Sequence, residues 1–419
     1  MIKDEKKMTF IKFTFPILLL LAVACQQGKP AAELATEQEQ QPQSTDKPYS
    51  VWMADSDIKR NPEGWMIDFK EKPKWDYTQG LFASAIERVY DKTGDEKYLN
   101  YIQAFADTMI SEDGTIMTYK KTDYNIDRVN PGKFLMELYK ETGDEKYKLA
   151  LEELRDQMRT HPRTSEGGFW HKKIYPHQMW LDGLYMASPF LAQYGVEFNE
   201  PALFDEVTKQ ISLVDKYTWN SEKGLWHHGW DESREQKWAD PETGKSPNVW
   251  GRAMGWYAMA LVDVLDYLPE NHPRRNEVLQ ITQKMANALT QYQDKDTGLW
   301  WQVVDMGGKE GNYLEASASS MFTYFLVKAA KKGHIDQQYM QHAEKAYTGI
   351  LNNFIEKNAD GSISITNVCA VAGLGGNPYR DGTYEYYINE ERRNNDPKAV
   401  APFIMASLEF EELNKTASK

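Results

Sequence analysis

From residue 49 onward, apolar residues recur at helical spacing along almost the whole chain. After Arg252 the residues Met254, Tyr257, Leu261, Leu265 and Leu268 fall three or four apart, and Leu184, Ala187, Leu191 and Tyr194 form a similar stripe. The stretch "YDKTGDEKYLNYIQAFADTMI" at Tyr90 returns as "YKETGDEKYKLALEELRDQM" at Tyr139, with the Thr-Gly-Asp triplets 49 residues apart. Glycine suits the left-handed residue that ends a helix, and the aspartate after it suits the cap of the next. The unit is therefore helix, tight turn, helix. Further helices are predicted over residues 203–217, 275–292 and 337–354, followed by the tails "NSEKGLW", "DKDTGLW" and "EKNADGSI", which suit small β-turns or hairpins. More apolar helices begin near Thr78, Pro131, Gly183, Gly251, Ala316 and Lys398. No run of alternating β-branched residues would build a large sheet. Six inner and about six outer helices at this period predict an all-α fold, a six-hairpin (α/α)6 barrel spanning residues 49–415.

In such a barrel every inner helix runs in one direction. All inner-helix N-termini, with their unpaired N–H groups and positive dipole ends, then meet at one rim. Side chains near those starts would share a common funnel. They include Trp75, Asp76 and Tyr77 in "KWDYTQG", Asp127 in "YNIDRVNPG", Asp182 in "WLDG", and Trp250, Arg252 and Trp256 in "NVWGRAMGW". Glu315 and Ser317 open the fifth helix, and nearby loops add His171, His227 and His228. Asp182 suits an N-cap, and it also suits an acid among aromatics. Trp250 and Trp256 suit either a core or a sugar platform. Arg252 suits a structural ion pair or an anion contact. The paired histidines lack a third ligand at metal spacing, so no metal is expected. Carboxylates, histidines, an arginine and several tryptophans on one rim are what an enzyme of anionic sugars needs.

The N-terminal residues bear on location. Lys3, Lys6, Lys7 and Lys12 precede "FPILLLLAVA" and then Cys25. The run is short for a membrane span but suits a signal peptide. "LAVAC" resembles a bacterial lipobox, which implies a signal peptide over residues 1–24 and lipidation at Cys25. Residues 25–48 read as a disordered tether, so the protein is expected to be exported and membrane-anchored, periplasmic or on the cell surface. Net charge is −13. That excess of acid argues against nucleic acid as a partner. Thirteen Trp and 24 Tyr favour carbohydrate, whose rings stack on aromatic faces.

Four segments carry a family resemblance: "WLDGLYM", "WGRAMGW", "SASSMFTYFLVKAAKKG" and "RDGTYEYYINEERRNNDPKAVAPFIMASLE". They resemble the unsaturated rhamnogalacturonyl hydrolases, glycoside hydrolase family 105, in the expected order over roughly residues 50–410. The resemblance implies the same barrel, no cofactor, and an oligosaccharide substrate with a 4,5-unsaturated uronic acid at its non-reducing end. It assigns the catalytic acid to Asp182 and the second carboxylate to Asp127. Sugar contacts fall on His171, His228, Trp250, Arg252 and Trp256, and on Tyr77 in a more diverged segment. A polysaccharide lyase on this fold would need a strong base and leaves "WLDG" unexplained. A non-catalytic, lipid-anchored glycan-binding protein would need no second carboxylate.

Overall fold

The computed structural model describes residues 47–417. The predicted signal peptide, Cys25 and nearly all of the tether lie outside the described residues. Lys47 and Pro48, predicted as tether, belong to the folded unit: Lys47 Nζ lies 2.5 Å from Asp55, and Pro48 precedes the first helix.

In chain order the helices are α1 (Tyr49–Arg60), α2 (Tyr77–Thr93), α3 (Glu96–Met109), α4 (Gly132–Thr142), α5 (Glu145–Arg159), α6 (Leu181–Glu197), α7 (Ala202–Thr218), α8 (Gly251–Leu265), α9 (Arg275–Gln291), α10 (Ala316–Lys331), α11 (Met340–Asn353), α12 (Tyr384–Ile388) and α13 (Pro397–Ala417). Helices α2, α4, α6, α8, α10 and α13 each pack on the next, and α13 packs back on α2 to close the ring. Outside it, α3, α5, α7, α9 and α11 each cover the inner helix that precedes them, and α1 covers α13. The fold is thus the predicted (α/α)6 barrel, with α1 supplying the sixth outer helix.

The repeated triplets behave as their chemistry dictates. Gly94 and Gly143 end α2 and α4 at φ 66° and 68°, a conformation that costs glycine little. Asp95 and Asp144 then accept from the backbone N–H groups of Lys97 and Lys146, capping α3 and α5. The inner ring is apolar almost all round, and every residue of α8 is buried. Helix α10 buries Ser320 and Thr323, whose hydroxyls bond to the carbonyls of Ala316 and Ser319 one turn back. No buried hydroxyl there is left without a partner.

The short strands are β1 (Gln178–Trp180), β2 (Trp219–Asn220), β3 (Leu225–Trp226), β4 (Gly229–Asp231), β5 (Ile355–Lys357), β6 (Ile363–Ile365), β7 (Val368–Cys369) and β8 (Arg392–Arg393). Pairs β2–β3 and β5–β6 are local antiparallel hairpins at two of the predicted tails. Pairs β1–β4 and β7–β8 join distant segments over the rim. The inner-helix starts converge there. Arg128 and Asp76, 3.6 Å apart, link the starts of α4 and α2, and Lys398 and Asp68, 3.3 Å apart, tie α13 to the segment before α2. Arg252 on α8 bonds to Ser317 on α10.

Candidate active site

Helix α6 begins at Leu181, earlier than its apolar stripe predicts, and its capping position is Trp180. Asp182 is therefore inside the first turn and caps nothing. Its side chain is 13% exposed, and its Oδ2 sits 3.2 Å from His228 Nε2. The two atoms touch without the alignment of a hydrogen bond. His228 is fully buried, and its Nδ1 lies 2.8 Å from the Tyr387 hydroxyl. Tyr387, His228 and Asp182 form a line from the interior to the rim. One ring nitrogen of His228 is thus engaged by Tyr387 and the other faces Asp182.

Asp127 lies in a 3-10 turn (Ile126–Val129) ahead of α4. Its Oδ2 is 2.5 Å from Lys172 Nζ, and its Oδ1 is 3.4 Å from His171 Nε2. Burial works against the Lys172 ammonium, but Asp127 holds it above the ordinary lysine range. His171 goes the other way: burial, then the neighbouring Lys172 charge, push it well below its usual value, so it is neutral at pH 7. Its ring stacks on Trp180 at 4.4 Å, and Trp180 meets His228 edge-on at 5.4 Å. Gly183 makes this possible, since a Cβ there would lie 3.2 Å from His171 Nδ1. Tyr77, at the start of α2, completes the group. Its hydroxyl is pushed well up by burial and then by the Asp68 and Asp127 charges.

Asp127, Asp182, His171, His228 and Tyr77 are thus gathered on one rim as predicted. The WGRAMGW residues behave differently. Trp250 and Trp256 are each 1% exposed. Trp250 stacks on Tyr387 and donates its indole N–H to Gln302, while Trp256 stacks on Tyr185 and takes the edge of Tyr77. Both form the wall and floor of the site, not open platforms. Arg252, predicted to touch substrate, is 1% exposed. It donates to the Ser317 hydroxyl at 2.7 Å and to the carbonyls of Cys369 and Ala370, and lies 3.6 Å from Glu315. Segment 368–370 covers it, so Arg252 does not reach the rim as predicted and instead braces α8 against α10. His227 points away from His228, toward Asn220.

Three residues at the site were not singled out by sequence patterning. Lys172 follows His171 directly, Tyr387 lies within the fourth motif, and Tyr175 stacks on the second face of Trp180 at 5.0 Å. Arg380 donates to the Tyr175 hydroxyl and to two loop carbonyls, fixing that stack in place.

A family model described as Glycosyl Hydrolase Family 88 matches residues 49–414. The solved structure of a family 105 glycoside hydrolase from C. acetobutylicum ATCC 824 superposes with a TM-score of 0.84 at 47% identity, covering 87% of this chain and 100% of that one. A 24.9 kDa protein in the picA locus of Rhizobium radiobacter is 40% identical, over 54% of this chain and 97% of its own length. The unsaturated rhamnogalacturonyl hydrolase YesR of Bacillus subtilis is 26% identical, over 69% of this chain and 78% of its own.

Proposed function

The chain belongs to the unsaturated uronyl hydrolases of Glycosyl Hydrolase Families 88 and 105, and we propose that Asp182 is the group that carries their chemistry here. The enzyme removes a 4,5-unsaturated uronic acid from the non-reducing end of lyase-generated oligosaccharides. In that sugar, C4=C5 is an enol ether bearing the carboxylate. The Asp182 carboxyl donates its proton to C4, leaving oxocarbenium character at C5 and the ring oxygen. A water oxygen adds to C5, and its proton passes to the Asp182 carboxylate, restoring the acid. The hemiketal then opens to a C5 ketone and a C1 hemiacetal, which releases the next sugar as its alcohol. The anomeric carbon is never attacked, so the separation of two carboxylates does not set the stereochemistry.

One observation carries this assignment: Asp182 bonds to no helix N–H and instead faces the rim against His228. Lys172 is the partly exposed cation of the site and suits the uronate carboxylate, with Asp127 holding its ammonium in place. Tyr77 and the Tyr175–Trp180 stack supply sugar-sized polar and aromatic surface. The test is a panel of lyase-generated oligosaccharides followed by ultraviolet absorbance and product analysis. Loss of the C4=C5 chromophore with release of the next sugar supports a hydrolase; creation of the chromophore from polymer would mean a lyase. The penultimate sugar is for that panel to read: rhamnose, sulfated rhamnose or galacturonate. We further propose export as a lipoprotein anchored at Cys25, a reading supported by "LAVAC" alone and tested by mass analysis of the mature N-terminus.

A further inference from the structure

At the end of the barrel opposite the rim, the lumen holds a cavity of about 670 Å³ bordered by all six inner helices. That volume falls in the range of small-molecule sites, roughly 300–1,000 Å³. The Tyr185–Trp256 stack lies between it and the active site: Tyr185 lines the cavity, and Trp256 meets Tyr77 on the other side.

Several charged groups of the lining are paired with one another. Lys328 on α10 lies 2.7 Å from Asp263 on α8 and 2.5 Å from Asp266. Arg88 on α2 lies 3.4 Å from Asp263, and both bond to the Tyr324 hydroxyl. Burial alone would raise the Asp263 carboxyl, but Lys328 and Arg88 hold it well below the usual range. Two cations thus face two carboxylates. Nearer the mouth, Glu409 on α13 pairs with Lys331, and Glu137 on α4 accepts from Gln193 and lies 3.0 Å from Lys140. Burial and then Asp91 push the Glu87 carboxyl well above its usual range.

Lys133 on α4 is a buried cation outside those pairs. It is 8% exposed, its Nζ has no hydrogen-bond partner, and it rests 3.6 Å from the Tyr185 ring centroid. Burial pushes its ammonium down to about 7 against the pull of the Asp263 charge, with Arg88 and Lys328 adding to the fall. Two more polar groups on the cavity wall are unpartnered: the hydroxyls of Tyr185, fully buried, and of Ser84, 6% exposed. Buried polar groups without partners are rare in folded proteins and mark places where something else binds.

We propose that the lumen cavity is a second binding site, for a small carboxylate monoanion up to the size of a sugar acid, held by Lys133, Tyr185 and Ser84. The Lys133 ammonium, which has no hydrogen-bond partner, would receive the carboxylate. A dianion such as phosphate would meet greater repulsion than a monoanion from the carboxylates of the lining and from the nearby inner-helix C-termini. The site is independent of the chemistry assigned to Asp182.

The test is calorimetric titration of the purified protein with sodium D-glucuronate and, separately, sodium acetate. It is run at pH 6 and pH 8.5, in the parent and in Lys133→Met, Ser84→Ala and Lys172→Met. Saturable binding should survive in Lys172→Met, which removes the rim cation, and weaken at least tenfold in Lys133→Met and severalfold in Ser84→Ala. It should also weaken at pH 8.5, where Lys133 is neutral. Should Lys133→Met fail to fold, Ser84→Ala decides. Absence of saturable binding by both probes overturns the proposal. So does binding that Lys172→Met abolishes while Lys133→Met or Ser84→Ala leaves it unchanged.

Discussion

Asn for Asp at position 182 separates catalysis from architecture because the structure gives the side chain so little architectural work. It accepts no bond from the α6 backbone. What Asn removes is at most the interaction of a first-turn carboxyl group with the helix dipole, about 0.3–1 kcal/mol. It keeps the shape and retains a polar contact with His228. A loss of 1 kcal/mol or less should lower the melting temperature by no more than about 2–4 °C. The effect on turnover should be far larger. Asn has no acidic proton for C4 and no carboxylate to take the proton from water. Acid–base groups contribute about 10²–10⁴-fold, and one residue serving both half-steps belongs at the upper end, about 4–5.5 kcal/mol of barrier. The assay is the decay of the unsaturated chromophore on a lyase-generated disaccharide, alongside calorimetric binding and a thermal melt. Substrate binding should stay within about tenfold, since the contact surface is unchanged. Turnover within tenfold of the parent would refute Asp182 as the acid. A melting loss above 10 °C with proportionate loss of binding would refute its freedom from the fold.

Three further outcomes follow from the same geometry. Tyr387→Phe removes the partner of His228 Nδ1, worth about 1 kcal/mol, and should lower kcat about 5–10-fold with KM steady and the pH profile shifted; an unchanged profile would make Tyr387 packing only. Arg252→Lys cannot reproduce three divergent bonds, so it should destabilise by about 3 kcal/mol while KM changes little; a large rise in KM on a stable fold would return Arg252 to the substrate. Burial pushes His161 and His227 down to about 4, so below pH 6.5 the unfolded chain binds more protons than the folded one. Stability should therefore fall between pH 7 and 5 by about 2 kcal/mol per histidine, offset by about 1 kcal/mol from Asp57, whose carboxyl is pushed up to about 6; an equal denaturant midpoint at both pH values would contradict it.

The barrel was legible because its signals are local. Thr-Gly-Asp turns, glycine at helix ends and apolar stripes each act within one hairpin, and their period implies closure. Helix α1 escaped because its apolar stripe, Tyr49, Trp52 and Met53, gives way to polar residues after one turn. Its buried face includes Ser50, Ser56 and Asp57, whose polar atoms bond to Glu411, Trp52 and Arg60. Polar residues buried by partnership look exposed in a sequence. The rim pairs escaped for a different reason: Gln178–Trp180 and Gly229–Asp231 find each other across the whole of α6 and α7, and two or three residues per strand carry no periodicity.

The site posed a harder problem, shown by two residues with the same helical address. Asp182 is the second residue of α6 and Arg252 the second residue of α8. Both occupy the first turn, where side chains lean back toward the helix N-terminus and so toward the rim. Sequence patterning gives them equal claims on the substrate. Their fates differ because of what lies above them. Segment 368–370, more than 100 residues downstream, sits over Arg252 and takes its donors through backbone carbonyls. Asp182 meets His228 at contact distance, and its side chain keeps an opening to solvent. A backbone carbonyl belongs to every residue type, so nothing in the letters at 368–370 announces that they will bind a guanidinium. Lys172 is the converse case. It lies on a loop with no helical phase to assign it a direction, and only the fold reveals that it reaches Asp127. Helical phase can thus find the rim, but coverage by distant backbone decides which of its residues meet a ligand.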